Sequence, residues 1–273
     1  MDSAAAIGVF DSGLGGLTVA RAIREALPAE RLVYLGDTAR VPYGTRSAQT
    51  VIRYARGCGS LLARHGIKAL VVACNTVSAV ALDVLRVELD VPIVGVVEPG
   101  ARAAAAVTRS GRVGVLATAG TVASGAYPRA LAAIDPRIEV FARAAPLLVP
   151  LCEEGWTSGE VPRLVARRYL EPLVACGIDT LVLGCTHYPL LRDTLERELC
   201  AIVGAPVPLV DGSRATAESL ARLLSERSLA APPGGCGSLE LFVTDLPDRF
   251  TEVAARFLGR PVEGLQVRQV DLG

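Results

Sequence analysis

The sequence predicts an α/β protein: two similar domains with mostly parallel sheets flanked by helices, pseudo-symmetric, with its site in the interdomain cleft. Two observations predict this. Short apolar, β-branched runs alternate with helical patterns along the chain, the signature of parallel sheets covered on both faces. The chain also echoes itself. ARHGIKALVVACNT (63–76) aligns without gaps on VACGIDTLVLGCTH (174–187), and IGVFDS (7–12) sits more weakly beside VGVLAT (113–118). Two echoes in the same order point to duplication. Duplicated α/β halves place a site where the C-terminal ends of their strands face each other.

In order, the strands are predicted at Ile7–Phe10, Leu32–Gly36, Ala69–Ala73, Ile93–Val97, Arg112–Ala117, Ile138–Ala142, Thr180–Gly184, Val207–Val210 and Leu239–Thr244. Each is a run of β-branched or aliphatic residues short enough for a buried strand. Helices are predicted between them at Gly16–Leu27, Ala48–His65, Ser78–Leu89, Pro99–Thr108, Ala123–Ala133, Val161–Cys176, Leu190–Leu199 and Arg214–Arg227. The boundary between halves is expected near Glu98-Pro99-Gly100, with a return to the first half near Pro206 and Pro208. AAPPGGCGS (230–238) reads as a loop.

With 273 residues, 51% of them hydrophobic, the chain has ample material for two cores. Its 28 basic and 28 acidic residues balance, and no basic patch marks a nucleic-acid partner. Only Lys68 is lysine, so any Schiff-base chemistry would fall to that residue. No cationic segment precedes an apolar stretch at the N-terminus, and the longest apolar-rich run, Ala69 to Leu82, carries Asn75, Thr76 and Ser78. The expectation is a soluble cytoplasmic protein without a membrane span.

Seven cysteines with no C-x-x-C favour free thiols over disulfides. The two histidines, His65 and His187, stand at no zinc-ligand spacing, so no metal is expected. Cys58, Cys176, Cys200 and Cys236 read as space-filling residues. Cys74 and Cys185 differ: each closes an echoed strand and opens a helix. A helix N-terminus presents unpaired amides and partial positive charge, which bind carboxylates and favour thiolate. DSGLGGL (11–17) follows the first strand, so Asp11 and Ser12 fall in the same cleft; it matches neither a dinucleotide fingerprint nor a P-loop. GDTARVPYGTRS (36–47) is a turn-rich loop whose Pro42, Tyr43 and Gly44 are placed to line a pocket. His187, two residues beyond Cys185, is placed to tune that thiol.

Taken together, IGVFDSGLGGLTV, YLGDTARVPYGTRS, ACNTVSA, VGVVEPGA, GVLATAGTVASGAY, PLLVPLCEEG, LGCTHYPLL and VDGSRATAESLARLL resemble, in order and over nearly the whole chain, the glutamate racemases of the aspartate/glutamate racemase family. LFVTDLPDRFTEVAARFLG resembles that family's C-terminus. The resemblance implies two α/β domains, residues 1–98 with 208–273 and residues 99–207. It implies cofactor-independent racemisation of glutamate for peptidoglycan synthesis, and a homodimer. Cys74 and Cys185 would be the two acid/base residues, Cys74 facing D-glutamate and Cys185 facing L-glutamate. Asp11 would assist Cys74; His187 and Glu153 would assist Cys185. Substrate contacts carried over are Asp11, Ser12, Pro42, Tyr43, Gly44, Asn75, Thr76, Thr118, Thr121, Thr186 and His187. Cys152, beside Glu153, is not required by the family pattern. Aspartate racemisation and a gyrase-binding regulatory protein stand as alternatives.

Overall fold

Among the described residues of the computed structural model (2–232, 234–259 and 266–272), ten strands form two sheets. The first six-stranded sheet contains β1 (Ile7–Asp11), β2 (Leu32–Gly36), β3 (Ala69–Val72) and β4 (Ile93–Gly95). Next in the chain come β5 (Arg112–Ala117), β6 (Glu139–Ala144), β7 (Thr180–Gly184) and β8 (Leu209–Asp211), which make the four-stranded second sheet. The chain then adds β9 (Leu239–Val243) and β10 (Val267–Gln269) to the first sheet. Every pairing is parallel. β1, β2, β3 and β7 are buried along their whole length, which is why they carry unbroken apolar runs.

The duplication is explicit in the strand order. The first sheet runs β10-β9-β2-β1-β3-β4 and the second runs β6-β5-β7-β8. Removing β9 and β10 leaves the same pattern twice: the first strand lies between the second and third, and the fourth lies outside the third. In this doubly wound order, connections leave the first and third strands in opposite directions and open a crevice at their C-terminal ends. Asp11 ends β1, and Cys74 lies two residues beyond β3. Thr118 and Cys185 directly follow β5 and β7.

The structure corrects several boundaries. Leu209–Asp211 belongs to the second sheet, because Leu209 registers against Leu181 and the Leu181 amide donates to the Pro208 carbonyl. Asp211 then caps the helix Gly212–Glu226, accepting from the Ser213 amide at 2.9 Å. The return to the first half therefore follows β8 and does not precede it. Glu98-Pro99-Gly100 lies inside the helix Val97–Val107. There the Ser78 hydroxyl accepts from the Val96 and Val97 amides and ends β4 early, and Pro99 is tolerated in the first turn. The helix expected over 78–89 is two, Asn75–Val80 and Leu82–Glu88. Three helices were not foreseen: Ala119–Ser124, which Gly125 separates from the expected one at Ala126–Ala132, and Leu148–Glu153 and Pro247–Leu258. Of the expected loop 230–238, Pro233 lies outside the described residues, as do residues 260–265 of the C-terminal segment. No helix among the described residues is long and apolar enough to cross a membrane.

Lys68 is a structural residue. Its side chain is fully buried, 2.6 Å from Glu30 Oε2, and donates to the Ser3 carbonyl at 2.5 Å. Glu30 Oε1 accepts from the Ala231 amide at 2.7 Å. One buried ion pair thus joins the N-terminal segment, the start of β3 and the 231 loop. Lys68→Ala strands a buried carboxylate and is expected to lower unfolding free energy by about 3–5 kcal/mol in urea titrations. The apolar double variant Lys68→Met with Glu30→Leu is expected to recover most of that loss, because neither charge is then left unpaired.

Candidate active site

The two crevices face each other and share one cavity of about 290 Å³. Ser12, Cys74, Asn75 and Thr76 line it from the first half; Thr118, Glu153, Cys185, Thr186 and His187 line it from the second. Pro42, Tyr43 and Gly44 close one side, and the Val41–Pro42 peptide there is cis. The volume is near the lower end for small-molecule sites, about 300 Å³.

Asp11 and Thr121 are not in the lining. Asp11 is fully buried beneath it, its Oδ2 accepting from the Gly13 amide at 2.9 Å, while its Oδ1 has no hydrogen-bond partner among the described residues. Burial raises the Asp11 carboxyl, opposed by His187 and by the amides of Gly13, Gly16 and Ser12. Thr121 supports Thr118: its amide and hydroxyl contact the Thr118 hydroxyl at 3.2 and 3.0 Å. Thr118 in turn meets the Thr76 hydroxyl at 2.9 Å across the two halves.

The halves touch at further points. The Thr18 hydroxyl donates to the Thr186 carbonyl at 3.1 Å, and the Tyr127 hydroxyl donates to Asn75 Oδ1 at 2.8 Å. Gly15 lies so close to the second half that a Cβ there would overlap Thr186 Oγ1 and His187 Nδ1. The glycine-rich turn after β1 thus serves contact between halves as well as lining the cavity through Ser12 and Gly13.

Each thiol has a distinct set of neighbours. Cys74 donates to the Ser12 hydroxyl at 3.4 Å. Burial, reinforced by Asp11, pushes its pKa up to about 11, against the pull of Ser12 and the Val77 and Thr76 amides. Cys185 lies 3.8 Å from His187 Nδ1. Burial holds its pKa well above the ordinary thiol value, against the His187 amide. On the far side of the imidazole, Nε2 lies 3.2 Å from Glu153 Oε1. A proton on Nε2 donated to Glu153 leaves Nδ1 as the acceptor facing Cys185. Cys74 caps the helix Asn75–Val80 as the sequence implied, whereas Cys185 precedes only a short 3-10 turn, Tyr188–Leu191; at both, nearby amides favour thiolate and desolvation outweighs them. Burial thus favours the thiol over the thiolate at both cysteines.

A profile of the Asp/Glu/Hydantoin racemase family matches residues 7–220. The glutamate racemase of Geobacter metallireducens is 55% identical over 254 residues, 93% of each chain. The chain belongs to this family, among its glutamate racemases. Two solved structures support the assignment. The glutamate racemase of Francisella tularensis, in complex with D-glutamate, is 35% identical with a TM-score of 0.89 over 99% of this chain and 98% of that one. The glutamate racemase of Thermus thermophilus, in complex with beta-chloro-D-alanine, is 45% identical with a TM-score of 0.88 over 100% and 99%.

For this glutamate-racemase-family chain, sequence reasoning missed part of the cavity wall: Gly13, Val41, Thr45, Ala119, Pro146, Val149 and Pro150. Val149, Pro150 and Glu153 share one face of the helix Leu148–Glu153 by their three- and four-residue spacing. That spacing is visible in PLLVPLCEEG, where the sequence reading assigned no helix. Cys152 points away from the cavity and donates to the His187 carbonyl at 3.1 Å.

This preference for the thiol has a measurable consequence. Alkylation of Cys74 by iodoacetamide, followed by peptide mass spectrometry, is expected to accelerate about tenfold per pH unit up to pH 10, because the reactive thiolate remains a minor species below pH 11. A rate that levels off below pH 9 would show the thiolate to be stabilised already without ligand.

Proposed function

We propose that the protein interconverts L- and D-glutamate by a cofactor-independent two-base mechanism, with Cys74 and Cys185 as the bases. The observation that supports this best is the placement of two thiols at equivalent strand ends of a duplicated fold, lining one cavity from its two halves. Inverting a carbon centre requires proton removal on one face and delivery on the other. A single base on one wall cannot reach both faces of a fixed substrate; two thiols on opposed walls can.

The surroundings fit that division of labour. A thiol must be ionised before it can take the α-proton, and burial opposes this. The substrate's α-ammonium brings a positive charge into the cavity and offsets that penalty. Asp11, unpaired at one oxygen and coupled electrostatically to Cys74, is the group that receives or returns the Cys74 proton. His187 Nδ1 does the same for Cys185, and Glu153 on Nε2 steadies the imidazolium that results. The hydroxyls of Ser12, Thr76, Thr118 and Thr186, with the amides that open the adjoining helices, are the donors for the two carboxylates. Pro42, Tyr43, Gly44 and Asn75 complete the wall and set the length of substrate it accepts. We read the two sheets as the two domains that close on this substrate. The product D-glutamate would serve peptidoglycan synthesis. Glutamate is preferred over aspartate because relatives 55% and 47% identical over nearly the whole chain are glutamate racemases.

The test is incubation with D-glutamate in deuterium oxide without added cofactor, following optical rotation and deuterium at the α-carbon. Two bases are expected to give L-glutamate labelled at that carbon while the remaining D-glutamate is initially unlabelled. Faster turnover of D-aspartate would reassign the substrate. Cys74→Ser and Cys185→Ser are each expected to lower racemisation by at least ~10²-fold with an unchanged circular dichroism spectrum, since a hydroxyl is a far weaker acid than a thiol. Wild-type turnover in either variant would exclude the two-thiol mechanism.

A further inference from the structure

The wall formed by Tyr43 and Gly44 is not held by its own loop alone. It is fastened to a carboxylate outside the cavity. Asp37, which follows β2, is fully buried, and three side chains converge on it. Arg40 Nε donates to Oδ2 at 2.7 Å, the Tyr43 hydroxyl donates to the same oxygen, and the Thr244 hydroxyl donates to Oδ1 at 2.8 Å. Arg40 also lies over the Tyr54 ring, 4.4 Å from its centroid, which restricts its movement. Burial keeps the Tyr43 phenol protonated and therefore a donor.

Thr244 lies just beyond β9. Its hydroxyl also accepts from the Ala39 amide at 2.9 Å. One residue on, Asp245 and Thr38 bond reciprocally: the Thr38 hydroxyl donates to the Asp245 carbonyl at 2.6 Å, and the Asp245 amide donates back at 2.8 Å. The helix Pro247–Leu258 starts directly after this turn, and its far end reaches the opposite wall. There Arg256 Nη1 donates to the Glu153 carbonyl at 2.6 Å, and Phe257 meets the His187 ring edge-on, with centroids 5.2 Å apart. Twelve helical residues span about 18 Å, enough to bridge a small-molecule site.

We infer that Asp37 is a positioning residue: it latches the 38–46 loop to the turn after β9, so that the C-terminal segment sets where Tyr43 and Gly44 stand against the second half. This rests on reading Tyr43 and Gly44 as part of the substrate wall. Nothing in the latch touches the cavity except through Tyr43, so its loss should act on substrate binding before it acts on proton transfer.

The experiment compares wild type with Thr244→Val, which keeps the side-chain shape and removes both the donor to Asp37 and the acceptor for Ala39. Hydrogen exchange of the amides in 38–46 is expected to quicken in the variant. The KM for glutamate is expected to rise about tenfold, the worth of one hydrogen bond to a charged group, while kcat changes far less. Thr244→Ser is expected to restore both. Tyr43→Phe, which deletes the other donor, should raise KM as well, and the double variant should add little to either single change because both act through one carboxylate. Unchanged exchange in 38–46, or a fall in Tm with KM unaltered, would overturn the inference, as would independent, multiplicative effects of the two changes. If wild type fails to turn over glutamate, the functional reading fails, and the exchange experiment still decides the latch.

Discussion

Two parallel sheets can share one cavity only if the turns at their strand ends come within van der Waals contact. That constraint governs the rest of the molecule. Gly15 meets it on one side, where any side chain would overlap Thr186 and His187. Gly44 meets it on the other, where an added Cβ would stand 2.7 Å from Thr118 Cβ. Between these two contacts the Thr76–Thr118 pair and the Tyr127–Asn75 bond join the halves. Without such close approach the cavity would open to water, and the thiols would lose the low-dielectric surroundings that shape their chemistry.

Desolvation explains why so much support surrounds two small side chains. A buried thiol is a poor base, and Asp11 raises Cys74 further. The same desolvation makes an arriving ammonium count for more than it would in water. The surroundings of the two thiols differ: a carboxyl lies buried beneath the first half's wall, while Cys185 faces an imidazole backed by a carboxylate. The fold is duplicated while the groups beside the thiols are not.

Much of this was legible in the sequence, for a physical reason. Strands buried on both faces must be continuous apolar runs, so β1, β2, β3, β5 and β7 stood out. The echo around Cys74 and Cys185 was legible because equivalent strands in equivalent sheets face equivalent surroundings. Less visible were features decided by distant partners. A strand was foreseen at Val207–Val210, but not that β8 is short and joins the second sheet on the edge of β7. The end of β4 depends on Ser78, and the helix Leu148–Glu153 carries a proline that reads as a break. Periodicity could not place Asp11 under the cavity floor or Thr121 behind Thr118.

The C-terminal segment follows from the same logic. The family match ends at residue 220, yet β9 pairs along the whole of β2 and extends the first sheet beyond the duplicated unit. A parallel strand added there must end at the same level as β1 and β3, because register carries the strand ends together. Its following turn therefore falls beside the loop after β2, where Asp37 and Thr38 capture it. The helix that follows has to pack back across the sheet, and the second half stands in its path. Contact with Glu153 and His187 is then a geometric consequence of adding one strand at that edge. Among the described residues the second sheet has no such addition beyond β6, so the two cavity walls are supported unequally: one is tied to a neighbouring strand, and the other is braced from outside by the first half's own C-terminal helix.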